Sequence, residues 1–223
     1  MSEKILFDGN WLFHEGDLET KKPVSKGPMY MAAKTEQSLY GPASRHYVAA
    51  PDDFSLEHEI NPDVWEKVSL PHDYVIRHAP DKKYNSALGY FPYNNAWYRK
   101  TFTLDRKDRE KRLSLHFDGV ANEAAVYLNG CLLKRNFCGY TGFEGDITDF
   151  AEFENENVLA VYVKTEKNQG WWYEDGGIYR HVWLIKSDML SVDTYGIHVI
   201  PQKKKDENWG IEIKNTVRND SFK

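Results

Sequence analysis

Five consecutive residues, Trp171, Trp172, Tyr173, Glu174 and Asp175, put three aromatic faces beside two carboxylates. That combination suits a sugar, because apolar ring faces stack on C–H bonds while carboxylates accept hydroxyl protons. The same rings packed under the edge of a sheet would serve stability alone, so the segment carries two readings. A second candidate is His72-Asp73, directly after Pro71. The proline biases Leu70 to extended backbone and helps fix where the chain leaves its strand. The Asp73 carboxylate then either caps the following turn or faces a pocket. Gly176-Gly177 has no helical pattern after it, which fits a tight turn before a strand better than a phosphate loop. Arg180 and Arg99 read as structural donors, to a carboxylate or to loop carbonyls.

The elements that would position these residues are strands. Leu113, Leu115 and Phe117 alternate with polar residues, as do Ala124, Val126 and Leu128, the pattern of half-buried strands. Asn129-Gly130 then supplies the dipeptide that tolerates positive φ in a tight hairpin. Val158 to Val163 is continuously apolar and predicts a strand buried on both faces, and His181 to Ile185 predicts another. No long amphipathic helix competes with these. Gly27 to Asp53 shows no sustained period and reads as a long loop or insertion. After Ser187, Ile197, Val199, Ile211, Ile213 and Val217 predict two or three strands of a new unit.

Composition narrows the function. At 223 residues the chain suits one large β domain, or one domain with part of a second. Fourteen Tyr, eleven Phe and seven Trp suit twisted sheets. A formal net charge of -5 argues against nucleic acid, whose binding needs clustered cations, and the run Lys203-Lys204-Lys205 is followed at once by Asp206 and Glu207. No stretch has the length of a membrane span, and the start, MSEKILFDGNW, lacks the apolar core of a signal peptide. A soluble chain is expected, in the cytoplasm or, had a signal been removed, in the periplasm or outside the cell. Cys131 and Cys138 fit neither a disulfide framework nor a zinc site and read as free thiols.

Four segments are more specific. Trp65 to Tyr74, WEKVSLPHDY, resembles the "W..V.LPHDW" segment of family 2 glycoside hydrolases, the β-galactosidase and β-glucuronidase family. Gly89-Tyr90-Phe91-Pro92 followed by Trp97-Tyr98-Arg99-Lys100-Thr101-Phe102 resembles its "GYLP...WYRKTF". Phe117-Asp118-Gly119-Val120 and then Ala124 to Gly130 resemble its "F.GV...A.VYLNG" hairpin, and Gly170 to Arg180 resembles its "GIYR" signature. The match runs from about Phe7-Asp8-Gly9-Asn10-Trp11 to Ile185.

The resemblance implies an all-β fold: an antiparallel jelly-roll β-sandwich of galactose-binding-domain type over residues 1–186. Residues 187–223 would be the first strands of an immunoglobulin-like domain, cut short. In the family a (β/α)8 barrel follows and holds both catalytic carboxylates. The implied function is a non-catalytic domain of a β-glycosidase, foremost a β-galactosidase. It would shape the pocket for a β-glycoside substrate and present an interface to its own catalytic barrel and, if the whole protein is a homo-oligomer, to neighbouring subunits. No cofactor, metal, nucleic acid or membrane is implied, and no catalytic residue. Asn122-Glu123 and Asn155-Glu156 superficially match the family's Asn-Glu acid/base pair, yet both fall in the sandwich and read as surface carboxylates. Trp171, Trp172, Tyr173, Glu174, Asp175 and Asp73 are the expected substrate-facing residues. In some relatives an aspartate six residues before the signature glycine contacts substrate; counting back from Gly177 reaches Trp171, so that contact does not transfer. A free-standing carbohydrate-binding module and a structural spacer are the alternatives.

Overall fold

The computed structural model describes residues 2–18, 41–44, 64–165, 174–204 and 208–221. Most of the predicted loop at Gly27 to Asp53 lies outside them. Twelve strands are described: β1 (Glu3–Leu6), β2 (Trp11–Glu15), β3 (Glu66–Val68), β4 (Ala96–Thr103), β5 (Lys111–Phe117), β6 (Glu123–Leu128), β7 (Cys131–Asn136), β8 (Phe143–Asp146), β9 (Glu156–Lys164), β10 (Val182–Asp188), β11 (Leu190–Lys203) and β12 (Trp209–Asn219). Helical structure among the described residues is confined to the short 3-10 segments Val75–Arg77, Ser86–Leu88 and Arg106–Glu110.

Two antiparallel sheets make the sandwich, one of four strands in the order β1-β10-β5-β8 and one of six in the order β3-β2-β4-β9-β6-β7. Phe13, Tyr98, Val161 and Val126 stand opposite one another across β2, β4, β9 and β6. They meet Leu113, Leu115, Phe117, Val182 and Leu184 of the smaller sheet in one buried core. Phe117 and Phe143 stack there, with ring centroids 4.9 Å apart. The Asn129-Gly130 turn joins β6 to β7 with both residues at positive φ, 52° and 85°, as a two-residue hairpin of the primed type requires.

Burial on both faces explains why β9 is continuously apolar. On its outer face the six-stranded sheet has a second apolar cluster, in which Trp97 and Ala160 pack with Ala43 and Trp65. The short 41–44 segment is held against that face by the buried Arg99, whose Nη1 donates to the carbonyls of Pro42 (2.8 Å) and Ser44 (2.6 Å). Loop carbonyls are thus its acceptors, one of the two structural roles expected for this arginine. The predicted strand at His181 to Ile185 begins at Val182 and continues to Asp188. Ile197, Val199, Ile211, Ile213 and Val217 lie in β11 and β12, which pair as a two-stranded ribbon.

Candidate functional site

The backbone of 174–178 is held from two sides. On one side the His72 N–H donates to the Ile178 carbonyl (2.8 Å) and the Tyr74 N–H to that of Gly176 (3.1 Å). On the other, Gly177 and Ala121 exchange two bonds, at 2.9 and 3.1 Å. The approach is close enough to require both glycines. A Cβ on Gly176 would collide with Val75 Cγ2, and one on Gly177, whose φ is +113°, would meet Tyr98 Oη and lie 2.8 Å from the His72 carbonyl oxygen. The tight turn expected at Gly176-Gly177 is not what the structure shows: Gly177 forms an isolated antiparallel bridge with Ala121, and glycine is needed there for its positive φ and the close approach of the His72 and Tyr98 segments.

Asp73 fastens the two segments together. Its Oδ1 accepts from the N–H of Val75 (3.0 Å), capping the turn, and from that of Gly176 (3.1 Å), 103 residues away. The turn-capping and site-facing readings of Asp73 are thus compatible, because the cap is also the tether that sets the approach to Glu174 and Asp175. Glu174 is fixed separately: its N–H donates to Tyr93 Oη (3.1 Å) and its Oε2 accepts from Asn122 Nδ2 (3.2 Å). At the far end Tyr179 Oη donates to the Gly139 carbonyl (2.7 Å), and Arg180 Nη1 reaches the carbonyls of Asp118 and Tyr140 (3.3 and 3.4 Å). Arg180 is thereby a structural donor to loop carbonyls, and the Tyr140 side chain is left 59 % exposed beside it.

His72 is a structural group here. Arg77 Nη1, which can only donate, faces His72 Nε2 at 3.3 Å, so the neutral ring carries its proton on Nδ1. That proton points to Tyr98 Oη at 2.8 Å, and the phenol in turn donates to the His72 carbonyl at 3.3 Å. Burial, and then the Arg77 charge, hold the imidazole below its ordinary pKa. Beneath it, Tyr74 Oη meets Thr165 Oγ1 at 3.0 Å, where β9 ends, and burial pushes its phenol well up.

Of the residues singled out from the sequence, the structure brings Asp73, Glu174 and Asp175 together, while Trp171, Trp172 and Tyr173 lie outside the described residues. Tyr93, Asn122 and Tyr179 were not identified from the sequence as parts of the site. Tyr93 follows directly on the Gly89–Pro92 motif, which is the one signal that marked it; Asn122 drew notice only as half of an Asn-Glu pair. Among the described residues no group of three or more His, Cys, Asp or Glu is placed to hold a metal. No described helix is long and apolar enough to cross a membrane. Cys131 and Cys138 are free and exposed.

The half-buried Asp175 carboxyl is held above the ordinary aspartate pKa, by burial first and then by the Asp73 charge, with Arg180 opposing. Between the ordinary and the raised value the folded state binds more protons than the unfolded one, so stability falls as pH rises through that window. Above the window the penalty is constant. Asp175→Asn is therefore expected to raise the thermal midpoint at pH 7, and to lose that advantage as pH drops below the ordinary carboxylate range. Melting curves of both proteins from pH 3 to pH 7 (roughly the range in which carboxylates titrate) check this, and a gain that persists undiminished at the acid end would contradict it.

Comparison with known proteins places this arrangement. The family described as "Glycosyl hydrolases family 2, sugar binding domain" matches residues 44–189, well over half of the chain. The β-galactosidase BoGH2A of Bacteroides ovatus is 33% identical over 160 residues, covering 70% of this chain and 19% of that protein. A β-glucuronidase of Formosa agariphila is 28% identical over 189 residues, covering 72% and 19%. Among solved structures, a β-glycosidase from Bacteroides vulgatus aligns over 99% of this chain and 25% of its own, with a TM-score of 0.77 and 26% identity. The chain thus spans about a fifth of the length of these relatives and a quarter of that structure. Its antiparallel sandwich, its motifs and the family match agree, and the chain belongs to glycoside hydrolase family 2, of which it carries the sugar-binding domain.

Proposed function

We propose that this chain is the non-catalytic N-terminal part of a retaining β-glycosidase, foremost a β-galactosidase. In this reading Trp171, Trp172, Tyr173, Glu174 and Asp175, with Asp73, form one wall of a substrate pocket that a (β/α)8 barrel completes. The observation that carries it is the two-sided pinning of 174–178, which gathers the Asp73, Glu174 and Asp175 carboxylates at one place on the sandwich. Pinning of this kind supports a preorganised wall, since groups held before a ligand arrives lose little freedom when it binds. The relatives' names as β-galactosidase and β-glucuronidase supply the substrate class, a β-glycoside.

The sandwich would occupy residues 1–186, and residues 187–223 would open an immunoglobulin-like domain. Register supports the second assignment, because Val192, Ile197, Val199, Ile211, Ile213 and Val217 share one face of the β11–β12 ribbon, as in a strand pair of a sandwich. The whole protein's oligomerisation belongs to the same proposal.

Two carboxyls must converge on a glycosidic bond, roughly 5–5.5 Å apart in retaining enzymes, and this reading places both in the barrel. The purified chain is expected to turn over no nitrophenyl β-galactoside or β-glucuronide. One-sided stacking is worth about 1 kcal/mol, against the roughly 8 kcal/mol of micromolar affinity, so galactose and lactose should bind no tighter than about millimolar. Calorimetry against a glycan panel tests this. Micromolar binding that Trp171→Ala abolishes would instead establish a free-standing carbohydrate-binding module.

A further inference from the structure

We propose that the β11–β12 ribbon is locked in one direction on the sandwich by a charge clamp, in which Asp220 is held at once by Arg112 of β5 and Arg218 of β12. The covalent link alone gives a weak hold. Met189 is the one residue between β10, which ends at Asp188, and β11, which begins at Leu190, so the link has only two soft dihedrals to fix its direction. A ribbon tied by a single strand can swing about such a link. A ring contact adds little: Tyr195, within the register irregularity between Val192 and Ile197, stands edge-on to His116 with centroids 6.2 Å apart and is left 83% exposed. Where two units share so little apolar cover, motion of one relative to the other is the default.

Asp220 ties down the second strand. It follows directly on Asn219, the last residue of β12, and its N–H donates to the Met189 carbonyl at 2.9 Å, which brings its carboxylate to the place where the ribbon leaves the sheet. There its Oδ2 lies 2.7 Å from Arg218 Nε and 3.3 Å from Arg112 Nε. The first contact stays within the ribbon, and the second crosses to the sandwich. Arg112 is fixed by the sandwich: it stands opposite Ser187 in the β5–β10 register, and its Nη2 donates to Asp146 Oδ2 of β8. Asp146 is placed in turn, since its Oδ1 accepts from the Thr148 N–H at 2.9 Å. The guanidinium therefore spends its fork on two carboxylates from different units, a geometry that a lysine ammonium does not reproduce. An isolated exposed pair would hold little, whereas here the charges form a network and the Arg112 and Asp220 side chains are each only 23% exposed.

The inference needs only the described ribbon and does not rest on the function proposed above. If residues 187–223 open an immunoglobulin-like domain, the clamp sets the angle between two sandwiches. Residual dipolar couplings of the 15N-labelled 223-residue chain test it. In the parent protein, couplings from β1–β10 and from β11–β12 are expected to fit one alignment tensor. In Asp220→Ala and in Arg112→Ala the ribbon couplings should shrink about twofold while those of the sandwich keep their size, the mark of a unit that has begun to swing. Tyr195→Ala should leave the single tensor intact. Arg112→Ala also removes a bond within the sandwich, so Asp220→Ala, which lies beyond the last strand, decides if the Arg112 variant does not fold. Separate tensors in the parent would overturn the clamp, and so would a single tensor in Asp220→Ala. Loosening by Tyr195→Ala alone would move the hold to the His116 contact and overturn it as well.

Discussion

Replacing Gly177 with alanine is expected to remove about 3–5 kcal/mol of stability, a large share of the roughly 5–15 kcal/mol that holds a domain folded. Two separate effects combine. The residue sits at φ +113°, where an L side chain is strained. The new methyl would also meet the hydroxyl of the buried Tyr98 and come within 2.8 Å of the His72 carbonyl oxygen. Neither neighbour can retreat cheaply, because Tyr98 Oη is bonded to the His72 ring and His72 N–H is paired with Ile178. Urea unfolding measures the loss. A double-mutant cycle with Tyr98→Phe separates the causes: deleting the hydroxyl should return part of the penalty to Gly177→Ala, leaving the backbone strain in place. A Gly177→Ala protein within about 1 kcal/mol of the parent would mean that 174–178 does not thread between the 72–74 and 121 segments as described.

How much of this was legible beforehand differs between elements. The β6–β7 hairpin could be read directly, because Asn129-Gly130 and the flanking alternation are local signals and the turn's positive φ values need those residues. β9 was legible as doubly buried from its unbroken apolar run. Which sheet each strand joins was not legible: β5 and β6 follow one another in sequence yet lie in different sheets, and alternation looks the same in both. Trp97 and Tyr98 point to opposite faces and are both buried, because the 41–44 segment and Trp65 cover the outer face. Nothing near Trp97 in the sequence announces that cover. The site shows the same division. Asp73, Glu174 and Asp175 stand out by residue type, whereas the Asp73–Gly176 tether spans 103 residues and the Asn122–Glu174 contact spans 52. Pairings of that range depend on how the loops come together, which no local pattern encodes.

That tether gives the second large effect. Asp73→Ala is expected to cost about 2–3 kcal/mol, because it leaves the Val75 and Gly176 amides without the acceptor they share, and hydrogen bonds to a charged group are worth about 1.5–3 kcal/mol. Asp73→Asn keeps an oxygen at the same place, since an amide carbonyl accepts as a carboxylate does, and should cost under about 1 kcal/mol. The two variants also share an effect that packing alone does not predict. Each removes the charge that helps hold Asp175 above the ordinary aspartate pKa, so the Asp175 carboxyl should titrate lower in both, with burial still keeping it raised. Chemical unfolding gives the stabilities, and NMR titration of the Asp175 carboxyl carbon gives the pKa. A split in stability between Ala and Asn, together with a common downward shift at Asp175, identifies Asp73 as both tether and electrostatic neighbour. Equal stability losses would show that the Oδ1 bonds do not hold the segment, and an unmoved Asp175 would show that the two carboxylates do not sense each other.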